Sequence, residues 1–328
     1  MDTEMNLAIN PDRDAPAWLV WVNLWIVYIV WGSTYLAIRV MVETMPPLMA
    51  SGIRFLTAGS LAYVYLLLRR GRDGVRVSRS EVLSSLAIGS ALLLGGNGLV
   101  AIAEQEVPSG LAALVIASTP LWVVLLRALF GERVPIGTIV GVITGFIGVG
   151  VLVVPGEGTS GAPVTGLLLL VLAAGLWASG SFFSKRLPLP RDPFLSTVMQ
   201  MLLGGGVLML AGLMRGEADG FVLEDFSTRS IVAVAYLVVI GSLVAFRAYT
   251  WLLQHAPISK VATYAYVNPV IAIVLGALIL NEEITMVILA GAALIVASVA
   301  FIVSRESGGP STRSSEPTAE PALATSDS

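Results

Sequence analysis

Trp31, Tyr35 and Arg39 stand four residues apart, a spacing that puts an aromatic ring, a phenol and a cation on one helix face. Trp177, Ser181 and Lys185 repeat that spacing, and Lys260, Tyr264 and Asn268 repeat it again with Pro269 next. Such side chains hold and orient a solute more readily than they make or break its bonds. Proline removes a backbone donor and frees a carbonyl one turn earlier, which a polar group must satisfy. Asn268 either patches that break or presents its amide, with the opened turn, to a solute. Thr119 before Pro120 is the counterpart of Asn268 before Pro269, and Asn97 is a further polar candidate. Trp31 and Trp177 suit either a cavity wall or an interfacial aromatic belt, while Arg39 and Lys185 suit snorkelling cations. Ser33 and Thr34 line a cavity or bond their own helix backbone.

Two intramembrane arginines need partners or water. Arg54 lies about two turns inside its helix, where a structural bond to an outer carbonyl suits it, and its repeat counterpart is Gln200. Arg247 lies deeper and is a candidate for the cavity. No Asp or Glu falls in mid-helix; Glu132 and Glu282 stand at helix ends, so proton coupling has no evident carrier. Gly137, Gly141 and Gly145 form consecutive GxxxG steps, a close-packing face either inside the bundle or between copies in a homo-oligomer. No cofactor or metal is called for: cysteine is absent, His255 is the single histidine, and no phosphate loop follows any glycine run.

The elements that position these residues are long apolar helices. The 328 residues are 56% hydrophobic and 12% charged, about half the charge of a soluble domain, so the chain belongs in a lipid bilayer. Its mean hydropathy is +0.85. A net charge of -3 gives no reason to expect nucleic acid as a partner. Ten windows of spanning length can be drawn: 19–41, 48–68, 82–103, 109–130, 136–154, 164–183, 194–214, 231–253, 259–280 and 286–303. Arginines and lysines gather in alternate loops, at 69–79, 127–133, 185–191 and 260, while the other loops hold mostly glutamates. By the positive-inside rule both termini face the cytoplasm, in the plasma (inner) membrane of a bacterium. Residues 1–18 read as a cytoplasmic tail and 304–328 as a disordered one.

The chain is duplicated. Pro108 and Pro120 match Pro257 and Pro269 at an offset of 149, and Glu132 matches Glu282 at 150. Trp31, Arg39, Pro47 and Gly59 match Trp177, Lys185, Pro193 and Gly205 at 146. Two five-helix repeats, 19–154 and 164–303, must lie in opposite senses because five is odd. The expected fold is therefore an all-α integral membrane protein with ten transmembrane helices in two inverted repeats, a plan shared by many secondary transporters.

The opening Trp31-Gly-Ser-Thr-Tyr-Leu-Ala-Ile-Arg39, Pro46-Pro47 and Gly52-Ile-Arg54-Phe resembles the EamA-type exporters of the drug/metabolite transporter superfamily. The segments Pro120 to Gly131-Glu132-Arg133 and Asn268-Pro269 to Asn281-Glu282-Glu283 fit that family in both repeats, and the likeness covers about residues 18 to 304. It implies a non-enzymatic secondary transporter that exports small metabolites, amino acids or toxic compounds. Alternating access around a midplane cavity is the expected mechanism. Two alternatives stand beside it. A passive channel would be expected to show charge rings or a filter motif, and none is visible. An intramembrane serine hydrolase would use Ser179, in Trp177-Ala-Ser-Gly180, with His255 as base.

Overall fold

A computed structural model describes residues 16–153, 161–219 and 221–307. The expected tails lie outside the described residues, apart from their innermost ends, and the last helix runs on through Ser307. The described residues form ten helices, and no strand occurs among them. They are α1 (Ala17–Met41), α2 (Pro47–Arg70), α3 (Arg79–Ala103), α4 (Ser109–Leu129) and α5 (Ile136–Val153) in the first half. The second half holds α6 (Val164–Ser184), α7 (Pro193–Met214), α8 (Thr228–His255), α9 (Ile258–Val261 continuing as Tyr264–Leu280) and α10 (Met286–Ser307). Nine are long and apolar enough to cross a bilayer on their own; the Tyr264–Leu280 stretch of α9 is shorter, at 17 residues.

The local chemistry that starts these helices is ordinary. Ser78 and Glu81 form a capping box on α3, with Ser78 N–H donating to the Glu81 carboxylate at 2.6 Å. Asp192 accepts from Leu195 N–H at 2.7 Å to cap α7, and Ser227 accepts from Ser230 N–H at 3.0 Å to cap α8. Pro47 and Pro193 occupy first-turn positions, where a missing N–H costs nothing.

The duplication extends to irregularities. α3 carries a π-helical stretch at Ser90–Gly98, and its repeat-mate α8 carries one at Leu237–Val244. α4 is broken between Ile116 and Thr119, and its mate α9 between Val261 and Tyr264. In α4 the break falls just before Pro120, as the sequence suggests. In α9 it does not fall at Asn268-Pro269. The helix restarts at Tyr264, so Pro269 sits in its second turn and the ring presses on a first-turn carbonyl that has room to tilt.

Glycines set the packing. α2 lies along its mate α7, and α5 along its mate α10, leaving α1, α3, α4, α6, α8 and α9 between these pairs. A Cβ on Gly204 of α7 would stand 2.6 Å from the Gly89 carbonyl oxygen of α3, so these backbones touch. The face of α5 bearing Gly137, Gly141 and Gly145 meets Arg305, Ile302, Phe301 and Ser298 of α10, and Leu121 of α4. That face is filled from within the same chain.

Candidate functional site

The bundle has a basic end, where Arg69, Arg70, Arg72, Arg76 and Arg79 crowd the α2–α3 connection and where the first and last described residues lie. Its acidic end holds Glu43, Glu104, Glu106, Glu217 and Glu282. The central helices carry two aromatic groups between these ends, related by the repeat.

The first group surrounds Trp31. Its ring makes contacts with Tyr249 (5.0 Å between centroids), Tyr264 (5.2 Å) and Phe246 (5.5 Å), drawing α1, α8 and α9 together. Tyr249 and Tyr264 also meet edge to face at 5.9 Å. Ser33 bonds the Tyr236 hydroxyl at 2.6 Å and donates to its own Val30 carbonyl at 2.9 Å. Tyr35, one turn toward the acidic end from Trp31, is half-buried. The second group lies on α6 and α3. Trp177 presses on Gly96, where a Cβ would come within 2.4 Å of its ring, and Ser181 is half-buried one turn further. Asn97 is half-buried in the π-helical stretch, and its amide reaches the Leu92 carbonyl at 3.5 Å. The first half of α4 packs on α1 and α9, which carry part of the first group, and both halves pack on α6, which carries the second. There Thr119 is half-buried and donates to the Ile116 carbonyl at 2.7 Å, satisfying a group that the break frees.

Two candidates lie elsewhere. Arg247 is exposed and lines a small cleft near the basic end with Thr250, Trp251, Gln254 and the Arg70–Asp192 ion pair. α8 extends to His255, which puts Arg247 about 12 Å from the helix end. Arg54 is the buried arginine. Its Nε donates to Ser242 Oγ at 3.2 Å in the π-helical stretch of α8, so it ties α2 to α8 through a hydroxyl and not an outer carbonyl. Thr34 is buried and bonds its own Trp31 carbonyl at 2.6 Å.

Asn268 is 8% exposed, wedged between α9 and α1. With its carboxamide nitrogen facing the neighbouring carbonyls, it donates to Tyr264 O and Tyr28 O, both at 3.2 Å. The second bond clamps two helices. Asn268→Leu is therefore expected to lower stability more than solute affinity. Both carbonyls keep their intrahelical donors, so the loss is that of two side-chain hydrogen bonds, about 0.5–1.5 kcal/mol each. A melting curve of the purified variant checks this: an unchanged midpoint with weakened binding would return Asn268 to the solute site.

Ser179 and His255 are not poised as a nucleophile and base. Ser179 donates to its own Gly175 carbonyl at 2.8 Å, while His255 stacks on Trp251 at 4.4 Å and bonds the Trp251 carbonyl.

The two ends of the bundle differ, and the difference centres on repeat-related glutamates. Glu282 follows Asn281, which adopts a left-handed conformation (φ 54°) and turns the chain back over α9. Its carboxylate accepts from Ser109 N–H at 2.7 Å and Gly110 N–H at 2.9 Å, seating a negative charge on the N-terminus of α4. Gly276 and Gly110 leave room for it; a Cβ at Gly276 would fall 2.2 Å from the carboxylate. Glu132 likewise follows a left-handed residue, Gly131 (φ 81°). Its carboxylate instead meets the Arg127 guanidinium at 2.7 Å and that of Arg186. The packing follows the same division. The acidic-end half of α4 packs on α1, α6 and α9 and is almost wholly buried. Its basic-end half packs on α5 and α6, with no comparable contact to α1 or α9. The acidic-end half of α4 is thus held closely by α1 and α9, and its basic-end half is not.

Sequence reasoning missed Glu104. It lies just beyond α3, fully buried, with neither carboxylate oxygen hydrogen-bonded among the described residues. Arg39 reaches its backbone carbonyl instead. The available signal was the five-residue connection between α3 and α4, too short to carry every charge out to water.

This duplicated architecture has known relatives. The sequence matches the EamA-like transporter family over residues 18–154 and again over 164–304. It is 37% identical over 280 residues to YedA, described as an uncharacterized inner membrane transporter of Escherichia coli (strain K12), covering 85% of this chain and 89% of that protein. It is 28% identical to a probable amino-acid metabolite efflux pump of Salmonella typhimurium, covering 84% of this chain and 91% of the pump. A crystal structure with 20% identity shares the fold at a TM-score of 0.60, covering 88% of this chain and 97% of that one. The duplicated bundle and both family matches make the chain a multi-pass membrane transporter belonging to the EamA-like transporter family.

Proposed function

We propose that the chain is a secondary transporter that exports small metabolites, amino-acid derivatives or toxic compounds across the inner membrane of a bacterium by alternating access. The observation that carries this reading is the unequal state of its two ends. Glu282 is seated on the α4 amides, while its mate Glu132 is held by Arg127 and Arg186. An inverted repeat that adopts one arrangement at one end has the means to adopt it at the other. Exchange of the two arrangements would turn the central aromatic groups from one face of the membrane to the other. The arginine-rich end is assigned to the cytoplasm by the positive-inside rule, which puts the Glu282 seat on the outer side.

The candidate side chains of the central helices and the relatives support the solute class. Trp31, Tyr35, Trp177 and Tyr264 offer aromatic walls, with Ser33, Asn97, Thr119 and Ser181 as sparse polar groups, a composition suited to small amphipathic molecules. Among the similar proteins is a probable amino-acid metabolite efflux pump. No chemical step is assigned, and the lipid bilayer is the remaining partner.

Metabolite levels inside and outside cells with and without the gene test the reading. Expression should lower the internal and raise the external level of at least one amino-acid-like or toxic compound, and dissipating the ion gradients should abolish the difference. Flux that only follows the solute's own gradient would point to a passive pore. Orientation is checked in the same cells, because the natural chain has no cysteine. Single cysteines at Arg72 and Lys185 should resist an impermeant thiol reagent added outside, and one at Asp219 should react. The reverse labelling pattern would invert the transport direction.

A further inference from the structure

We propose that Glu104 is a proton-binding site whose occupancy holds the acidic end of the transporter shut. The carboxyl group is fully buried and both of its oxygens lack a hydrogen-bond partner among the described residues. A carboxylate anion in such a place has neither water nor a donor, whereas the neutral acid removes most of the penalty. The charged groups around it do not favour the anion on balance. Arg39 of α1 donates to the Glu104 backbone carbonyl, not to the carboxylate. Glu282 approaches from the connection between α9 and α10 with both oxygens committed to Ser109 and Gly110 amides. Tyr35 faces Glu104 from α1, Glu106 points outward from the same connection, and the Glu43–Arg229 pair lies at the rim at 3.9 Å. The facing ends of α4 (residues 109–118) and α6 (164–170) bring no titratable side chain.

Burial first, and the Glu282 charge second, push the Glu104 carboxyl well above the usual carboxylate range, against a smaller opposing pull from Arg39. Glu104 ionises once water reaches it, so opening this end releases a proton and closing it takes one up. Closure is favoured below the closed-form pKa and is lost as the pH rises through that value. The linkage has a direct mechanical form. An ionised Glu104 would repel the Glu282 carboxylate that seats the α4 N-terminus, and a protonated one would not. The sequence offered no carboxylate within a helix for such a role; the fold places one beneath the lock.

The proposal rests on the reading that this end opens during transport, and it is tested without measuring transport. Nitroxide labels at Gln105→Cys and Ile284→Cys flank the lock on the full-length protein in lipid nanodiscs. Pulsed electron resonance should give a short distance at acidic pH and a growing longer population as pH rises. In Glu104→Gln, which keeps the size of the side chain, the short distance should persist at every pH. Glu106→Gln should titrate as the wild type does. Infrared difference spectra supply a second readout: a protonated carboxyl band that persists above the usual carboxylate range should be present in the wild type and absent in Glu104→Gln. A Glu104→Gln profile that titrates like the wild type, or a wild-type spectrum lacking that band, overturns the proposal. Absence of solute flux with the Glu104 titration intact would count against the transport reading alone.

Discussion

Glu282→Ala should release the acidic end of the bundle and abolish net transport while leaving the protein folded. Two charge-assisted hydrogen bonds to the α4 N-terminus are lost at once. Each is worth about 1.5–3 kcal/mol where desolvated, and partial exposure of Glu282 reduces the pair to roughly 2–4 kcal/mol. That is enough to move a two-state equilibrium by a factor of roughly 30 to 1,000. Val107, fully buried beside this contact, supplies the readout. A cysteine there should be protected from an impermeant reagent in the otherwise native protein and labelled in Glu282→Ala. Gly276→Ala should act in the same direction, since its methyl would displace the carboxylate. Equal protection in all three proteins would show that the carboxylate seat does not hold the end closed.

Trp31→Ala should be the most damaging change among the aromatic candidates, and more damaging than Trp177→Ala. Trp31 loses ring contacts with three partners on two other helices, at about 0.5–1.5 kcal/mol each beyond area burial, so roughly 2–4 kcal/mol in all. Trp177 rests mainly against Gly96 and takes part in no ring pair among the described residues. Trp31→Phe should recover most of the stability and part of the transport. Melting midpoints paired with uptake into inverted vesicles separate these effects. Transport lost in Trp31→Ala at an unchanged midpoint would make Trp31 a solute contact only. Equal losses at both tryptophans would remove the asymmetry.

Much of this architecture is legible in the sequence because lipid imposes simple rules. A helix must be apolar over about 20 residues, and arginine must find its way to one side. The spans, the inverted repeat, the α4 break at Thr119-Pro120 and the close-packed glycines of α5 follow from those rules. Hydropathy measures depth along one helix, though, and not which neighbour a face meets. That is why Arg54 keeps its expected structural role with a different partner, a hydroxyl, while Arg247 is exposed. Arg54 is buried because α8 covers it with Ser242, while Arg247 lines a cleft near the basic end. Asn268 was legible as a polar group beside a proline, but its partner, the Tyr28 carbonyl, belongs to a helix 240 residues earlier in the chain. Glu104 was hidden for the same reason. In one dimension it is a loop charge, and only the assembled bundle buries it.

The exchange of the two ends is tested most directly by measuring both in one protein. In the cysteine-free chain, one nitroxide pair at Gln105 and Ile284 spans the acidic end, and a second at Leu129 and Lys260 spans the basic end, all four positions being exposed. Pulsed electron resonance on each pair, with and without an exported solute, should give two distances per pair. The population that is short at one end should match the population that is long at the other. Distances that stay fixed at both ends, or that lengthen together, would describe a static or pore-like bundle and contradict alternating access.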